Sequence, residues 1–303
     1  AVRSGGSKVP RLSGSSPRTQ EAGGSVSELS ALPELPSHSL AATDAKARLV
    51  ASGWPAQIDR AWALDGSTGA GVRVCVLDSG IDGDHRDVGG IERAVAVVPG
   101  PDGYAQIVED DAGDVFGHGT GCAGIIRALA PDASISSVRV LGADNKGSGA
   151  AILAGLRWAI AESYDIVNLS LASTSERTRS FLYGLADSAY FHGSVLVASA
   201  HNMGLESWPW QFASVISVGS HDGDDPLELF ANTNPPVEFF ARGVGIRVPW
   251  IGGGHMTVSG NSFAAAHVSA LCALILAKHP ELTAFEVKSA LHLIASNVAV
   301  PGR

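Results

Sequence analysis

The sequence predicts an α/β fold of three layers, in which a mostly parallel central sheet carries helices on both faces. Strand-like runs of β-branched residues alternate with helix-like runs from Trp54 onward. Such alternation is typical of a parallel sheet that is covered on both faces. Hydrophobic residues make up 45% of the 303 residues and charged residues 17%, a composition typical of a globular chain with a sizeable core.

The predicted elements follow one another in a regular order. The stretch GVRVCVLD (71–78) is β-branched and ends in an aspartate, which indicates a buried strand. The last predicted helix begins with Thr283 and Glu286 at the spacing of a capping box. Further strands are predicted at 133–141, 163–171, 193–200 and 213–220, and helices at 118–130, 149–163, 259–279 and 283–295.

The N-terminal part of the chain has a different composition. Residues 1–25 are rich in Ser, Gly and Pro and nearly free of large apolar residues, so we expect them to be disordered or linker-like. A short helix is predicted at 43–52. The chain is therefore divided into an N-terminal extension, residues 1–55, and one folded domain, residues 56–303.

Charge and cysteine content exclude several classes of protein. The net charge of −9 argues against a nucleic-acid partner. The sequence contains no run of 18 apolar residues, so we expect no membrane span. Three cysteines in apolar stretches indicate buried thiols rather than disulfides, which favours a reducing, cytoplasmic compartment. The first residues lack the features of a secretory signal, although secretion with processing stays open.

Three residues with catalytic chemistry lie where predicted strands end and helices begin. Asp78 ends the first strand, His118 opens a helix, and Ser262 opens the helix of 259–279. Acyl transfer by a serine needs a base for the hydroxyl proton and a carboxylate that orients the base. Glycines flank all three residues and would let a substrate backbone come close.

The stretches VLDSGID, GHGTGCAG and SGNSFAAAH resemble the signature blocks of the subtilisin-like serine peptidases, the subtilases. The resemblance covers residues 56–298 and implies a subtilisin-like fold that cleaves peptide or protein substrates through an acyl-enzyme. It implies that Asp78 orients His118, that His118 is base and then acid, and that Ser262 is the nucleophile. Asn202 matches the oxyanion asparagine, which would donate beside the Ser262 backbone N–H.

The resemblance also places the substrate between two edge segments, as in strand addition. The matching residues are Asn145, Lys146 and Gly147 on one side, Ser170, Leu171 and Ala172 on the other, with Ser199, Ala200 and His201 completing the first specificity pocket. Ala172 and His201 replace glycines, and Trp210 is placed near the pocket floor. The added bulk favours restricted specificity. The alternative is that these side chains point away and the pocket is ordinary.

Around the serine the chain departs from the family pattern. Asn261 replaces the usual threonine, Phe263 the usual methionine and Ala266 the usual proline. Extra room at Ala266 could let an amine compete with water for the acyl-enzyme, as in a transpeptidase, a macrocyclase or a peptide-maturation protease. A tolerated substitution is the simpler interpretation. A non-catalytic binding module on the same fold is a third hypothesis, disfavoured by the intact catalytic residues.

No cofactor or required metal is predicted. The resemblance implies a calcium-binding loop after the histidine helix in many relatives, but here the helix runs almost directly into the next strand. The acidic run at 108–114 could bind a cation, yet a surface turn is its commoner meaning. Residues 1–55 are too short to match the family's folding propeptide, which was either removed or is not needed.

Overall fold

The computed structural model describes Pro55 and residues 57–299. The predictions for residues 1–54, including the helix at 43–52, lie outside the described residues. The strands are β1 (Arg73–Asp78), β2 (Arg93–Pro99), β3 (Ala105–Glu109), β4 (Ser134–Arg139), β5 (Ile166–Leu169), β6 (Val195–Ser199), β7 (Ile216–His221), β8 (Leu229–Ala231), β9 (Phe239–Arg242), β10 (Ile246–Trp250) and β11 (Gly254–Val258). The helices are α1 (Arg60–Leu64), α2 (His118–Leu129), α3 (Gly149–Ala161), α4 (Glu176–Phe191), α5 (Asn261–Lys278) and α6 (Ala284–Ile294).

Nine strands form one sheet in the order β3-β2-β4-β1-β5-β6-β7-β9-β8. Neighbouring strands run parallel except at the two edges, where β3 and β8 are antiparallel to their partners. The strands β10 and β11 form a separate antiparallel hairpin. The predicted mostly parallel sheet is therefore confirmed.

The helices complete the three layers. Helix α2 packs on α5, and α3 packs on α4, so each face of the sheet carries a helix pair. Central strands such as β5 and β6 are buried along their whole length, which explains why most of their residues are apolar. Helix α5 is long and apolar enough to cross a membrane, but 83% of its length is buried inside the protein, which is typical of a core helix.

Each predicted strand and helix of the central fold is present, with ends that differ by up to three residues. Helix α4 was not predicted because only one large apolar side chain, Leu182, is buried on it, whereas Phe181 and Phe191 are exposed. The short helix α1 and the hairpin strands β2 and β3 were not predicted. The strands β8 to β11 were not predicted either. These four strands are three to five residues long, too short for an alternating pattern to separate them from loops.

The sheet order positions the functional site. Strands β1, β5 and β6 are neighbours, so their carboxyl ends lie side by side. Asp78 ends β1, Ser170 follows β5, and Ser199 ends β6. Ligands of open α/β sheets bind at this edge.

Candidate active site

Asp78 and His118 form a close pair at the carboxyl end of β1. The His118 Nδ1 atom lies 2.8 Å from Asp78 Oδ1 and 2.9 Å from Oδ2. Asp78 is fully buried, and its Oδ1 also accepts from the Ser79 backbone N–H at 2.7 Å. Gly119 makes this approach possible, because a side chain there would collide with the carbonyl oxygen of Gly80.

The pair alters the protonation of His118. Burial lowers the pKa of the imidazole, but the charge of Asp78, its hydrogen bond and the charge of Asp114 together outweigh burial and raise the pKa above its ordinary value. Nδ1 bonds Asp78, and in the described residues no protein group bonds Nε2. His118 is therefore arranged to take up a proton at Nε2.

Asp114 holds the start of the histidine helix. Its Oδ1 accepts from the backbone N–H groups of Phe116 and Gly117 at 2.9 and 2.8 Å, and its Oδ2 accepts from the N–H and hydroxyl of Thr120 at 2.9 and 2.6 Å. Ser79 Oγ also donates to Oδ1. Asp114 thus takes up the backbone donors just before α2 and that of Thr120 in its first turn, so the carboxylate holds the backbone on both sides of His118.

Ser262 lies at the start of α5, beside the histidine. The ring of Phe263, the next residue, lies 5.0 Å from the His118 ring. The Ser262 hydroxyl donates to the Ser170 carbonyl at 3.3 Å, and no hydrogen bond among residues 57–299 joins it to His118. The expected serine–histidine bond is therefore not formed in this state, and forming it requires the hydroxyl to leave the Ser170 carbonyl for His118.

Asn202, the predicted oxyanion asparagine, lies against the start of α5. Asn202 is exposed, and its Oδ1 accepts from the Asn261 N–H at 2.9 Å. Its Nδ2 faces Gly260, immediately before the helix. No acceptor in the described part of the chain takes the Ser262 N–H. Two donors are thus left for an anion beside the serine hydroxyl.

Asn261 has a positioning role that the sequence did not reveal. Its Oδ1 accepts from the N–H and hydroxyl of Ser220, at 3.0 and 2.9 Å, and its Nδ2 donates to the Ala200 carbonyl at 3.0 Å. The side chain therefore ties the start of α5 to β7 and to the end of β6. The usual threonine has no amide with which to make the Ala200 bond, so the substitution itself was the signal.

One of the two predicted substrate segments contacts the serine. Ser170 is buried, and its hydroxyl donates to the Ser262 carbonyl at 2.9 Å. In the other segment, Asn145, Lys146 and Gly147 form a loop in which the Gly142 N–H donates to the Lys146 carbonyl at 2.9 Å. The placement of this loop beside the substrate stays a prediction.

Several residues that are predicted to line the specificity pocket pack against one another. Leu171, Ala200 and Trp210 belong to one buried apolar cluster, and Ala172 packs against it. The Trp210 Nε1 donates to Ser207 Oγ at 2.9 Å, which fixes the ring.

Three more residues are next in the chain to members of this cluster or to Ala172. Just beyond Ala172, Ser173 pairs with Trp208 through two backbone bonds of 2.8 and 2.9 Å. His201 Nδ1 accepts from the Met203 N–H at 3.1 Å, so this ring is held in its own loop. Ser199 ends β6 and is buried.

The cysteines are free and buried, as predicted. Ligand atoms of Asp78, His118 and Cys122 lie within 4.8 Å of one another, close enough to share a metal ion. Burial, followed by the charge of Asp78, raises the pKa of the Cys122 thiol well above its ordinary value, so the thiol is protonated and a poor ligand. Asp78 and His118 already bond each other.

Two carboxylates of the acidic run 108–114 bond other groups of the protein. Asp110 forms a two-pronged ion pair with Arg139, both N–O distances being 2.9 Å, and Asp114 caps α2. Only four residues, 130–133, connect α2 to β4, so the extended family loop is absent at this point.

Known proteins share this architecture. A family model described as the Subtilase family matches residues 69–302. Subtilisin DY of Bacillus licheniformis is 32% identical over 250 residues, which cover 77% of this chain and 86% of that protein. Subtilisin E of Bacillus subtilis (strain 168) is 32% identical over 246 residues, which cover 76% of this chain and 62% of that protein.

A solved structure gives the same result. The crystal structure of a cold adapted subtilisin-like serine proteinase superposes with a TM-score of 0.60 at 28% identity and covers 74% of this chain and 82% of that one. The predicted subtilisin-like fold is confirmed. Because the family model matches most of the chain and the relatives are more than 30% identical, this chain belongs to the subtilases. It is a serine endopeptidase of that family.

Proposed function

We propose that Asp78, His118, Ser262 and Asn202 carry out peptide-bond cleavage through an acyl-enzyme. The observation that supports this assignment best is the convergence of three features at one edge of the sheet. They are the Asp78–His118 pair at 2.8 Å, the Ser262 hydroxyl, and the two free donors at the start of α5. These are the groups that acyl transfer needs.

The first half of the reaction follows from these positions. Ser262 Oγ attacks the carbonyl carbon of the substrate while its proton passes to His118 Nε2. The negative charge that forms on the carbonyl oxygen is held by the Asn202 amide and the Ser262 N–H. His118 then gives its proton to the leaving amine, and the acyl group remains on the serine. Asp78 stabilises the imidazolium throughout because it is buried against Nδ1.

In the second half a water molecule takes the place of the amine. His118 accepts a proton from the water as it attacks the acyl carbon, and returns it to Ser262 Oγ when the acid product leaves. Substrates are peptides or proteins, as expected for this family.

Restricted specificity is the finer part of the proposal. Ala172 adds a methyl where relatives carry glycine, and the fixed Trp210 ring belongs to the same apolar cluster. A pocket with this added bulk favours small side chains at the cleaved position. Replacing Ala172 with glycine should broaden the profile toward large apolar residues.

Transfer of the acyl group to an amine is the alternative outcome. It depends on room beside the acyl-enzyme at Ala266, yet Ala266 is fully buried within α5. The enclosed methyl favours water as the acceptor. Mass spectrometry of products formed with an added peptide amine would detect ligation, and abundant ligated product would replace hydrolysis as the proposal.

The decisive experiment compares wild type with Ser262→Ala. A fluorophosphonate probe should label wild type only, and a peptide library should be cleaved by wild type only, with a loss on the order of 10⁶-fold in the variant. Ser188→Ala on α4 is the matched control, since its hydroxyl contacts only the surface residue His192. Equal labelling of wild type and Ser262→Ala would refute the assignment of the nucleophile.

A further inference from the structure

A second cavity lies behind the two helices that carry His118 and Ser262. It has a volume of about 470 Å³ and is bounded by α2, α5, β9 and the hairpin β10–β11. Its apolar wall comes from Ile125 and Leu129 of α2 and Val248 of β10. Gly124 to Leu129 lie roughly two to three turns beyond His118, so the cavity is separate from the active site. Its size is that of a small-molecule site.

Two arginines line this cavity, and among the described residues neither forms an ion pair with a carboxylate. Arg242 is half-buried, and its Nε is buried with no hydrogen-bond partner in the described part of the chain. A guanidinium nitrogen that loses water without gaining a partner carries a free-energy cost. Arg247 is exposed and adds a second positive charge. The pair therefore forms an unmatched positive region on a chain whose net charge is −9.

The other charged groups of the cavity are already paired. Asp87 lies 2.5 Å from His255 Nε2 and 3.4 Å from Arg86 Nε. His85 lies edge-on to the His255 ring, with centroids 5.4 Å apart, and its Nε2 is 2.9 Å from the Gly254 carbonyl. The Asp87 carboxylate thus belongs to this cluster rather than to the arginines.

His267 of α5 adds a neutral polar wall. Its Nδ1 donates to the Phe263 carbonyl at 2.8 Å, and the residue is 4% exposed. Burial lowers the pKa of His267 to about 4, although the Phe263 bond opposes this; Arg242 and His221 lower it further. The ring is therefore uncharged at neutral pH.

We propose that this cavity binds an organic carboxylate with an apolar body, whose carboxylate pairs with Arg242 and Arg247. Planar guanidinium groups match carboxylates in geometry and charge. The apolar body lies against the wall of Ile125 and Leu129. A doubly charged phosphate fits less well, because the Asp87 carboxylate on the same cavity would repel its second charge.

Calorimetry tests the proposal in a Ser262→Ala background, so that its outcome does not depend on catalysis. The probe is 4-phenylbutyrate, and its uncharged analogue is 4-phenylbutanol. Saturable binding of one carboxylate per chain is expected, with the alcohol at least about tenfold weaker. Inorganic phosphate should also bind more weakly. No heat with millimolar 4-phenylbutyrate, or equal binding of carboxylate, alcohol and phosphate, would overturn the proposal.

Variants test whether binding depends on these two arginines or only on the net charge of the protein. The double variant Arg242→Gln/Arg247→Gln should bind 4-phenylbutyrate at least about tenfold more weakly. Arg157→Gln/Arg177→Gln, which removes two exposed arginines elsewhere, should leave the affinity unchanged. Ala128→Trp fills the cavity from an exposed helix position and keeps both arginines, so it should also abolish binding. Unchanged affinity in the cavity variants, with melting curves showing that they fold, contradicts the assignment.

Discussion

The helices α2 and α5 begin in opposite ways although both start at the active site. At α2, Asp114 takes up the free backbone donors of Phe116, Gly117 and Thr120. At α5, the first residue follows Gly260 with no side-chain cap from that residue, and the Ser262 N–H has no acceptor among the described residues. We call the start of α2 closed, because one carboxylate takes up three backbone donors around it. We call the start of α5 open, because the N–H of the reactive serine is left free among the described residues.

The difference matches what each helix must hold. His118 must keep one orientation through two proton transfers, so the backbone beside it is held by the half-buried Asp114 carboxylate and the buried Ser79 hydroxyl. Ser262 must meet a charge that exists only during the reaction. A protein acceptor for the Ser262 N–H or for the Asn202 amide would occupy a donor that this charge needs.

The largest effect is expected for Asp78→Asn, which removes the charge beside the first residue of α2. Activity should fall by about 10⁴-fold, because the amide favours the wrong tautomer of His118. Since His118 works as a neutral base, wild-type activity rises with pH as the ring loses its proton, and Asp78 raises the pKa at which this occurs. The residual activity of the variant should therefore reach its midpoint at lower pH. A pH profile with an unchanged midpoint would contradict the role given to this carboxylate.

At the open start, Asn202→Ala should lower kcat by about 10² to 10³-fold, or roughly 3 to 4 kcal/mol, with little change in KM. That magnitude is the one typical of the equivalent donor in subtilisin. Asn202→Asp is the matched variant, because it keeps the acceptor for the Asn261 N–H and loses the amide donor. Both variants should therefore have a lower kcat than wild type. Recovery in Asn202→Asp would mean that the side chain acts only as a helix cap.

At the closed start, Asp114→Asn should cost about 2 kcal/mol of unfolding free energy. The asparagine keeps one oxygen for the N–H groups of Phe116 and Gly117. Its amide nitrogen, in the place of Oδ2, can accept neither of the two bonds from Thr120. Urea unfolding measures the loss. Because the charge of Asp114 helps to raise the pKa of His118, the activity midpoint should also move to lower pH, by less than in Asp78→Asn.

An ordinary helix start supplies the reference. Helix α6 has a capping box in which Thr283 and Glu286 satisfy each other's backbone groups. Thr283→Ala should cost about 1 kcal/mol of stability and leave activity unchanged, while Thr283→Ser should be near wild type. A loss of activity in Thr283→Ala would show that helix starts outside the site also affect catalysis.

The sequence indicates where the candidate site lies more fully than it indicates the contacts that hold its residues. Asp78, His118 and Ser262 lie at the ends of largely apolar elements, and a parallel sheet brings such ends to one edge. Asp114 read as part of an acidic surface turn, because a carboxylate that caps a helix and one that faces water look alike in sequence. The Ser262–Ser170 bond depends on a side-chain rotamer, which no spacing encodes.

Several predictions for the outer parts of the site stay predictions. The division into an N-terminal extension and a domain from residue 56 belongs to these, and so do the pocket roles of Lys146 and His201. Pocket shape depends on loops, whose conformations follow from local backbone bonds such as that between Gly142 and Lys146 rather than from periodicity.

Phe263 has a consequence for durability under oxidants. The chain has two methionines, Met203 and Met256, which are 79% and 45% exposed. Since an aromatic ring occupies the place beside the nucleophile where relatives carry a thioether, sulfoxide formation falls on the solvent-facing surface. Hydrogen peroxide should thus modify both sulfur atoms while proteolysis continues.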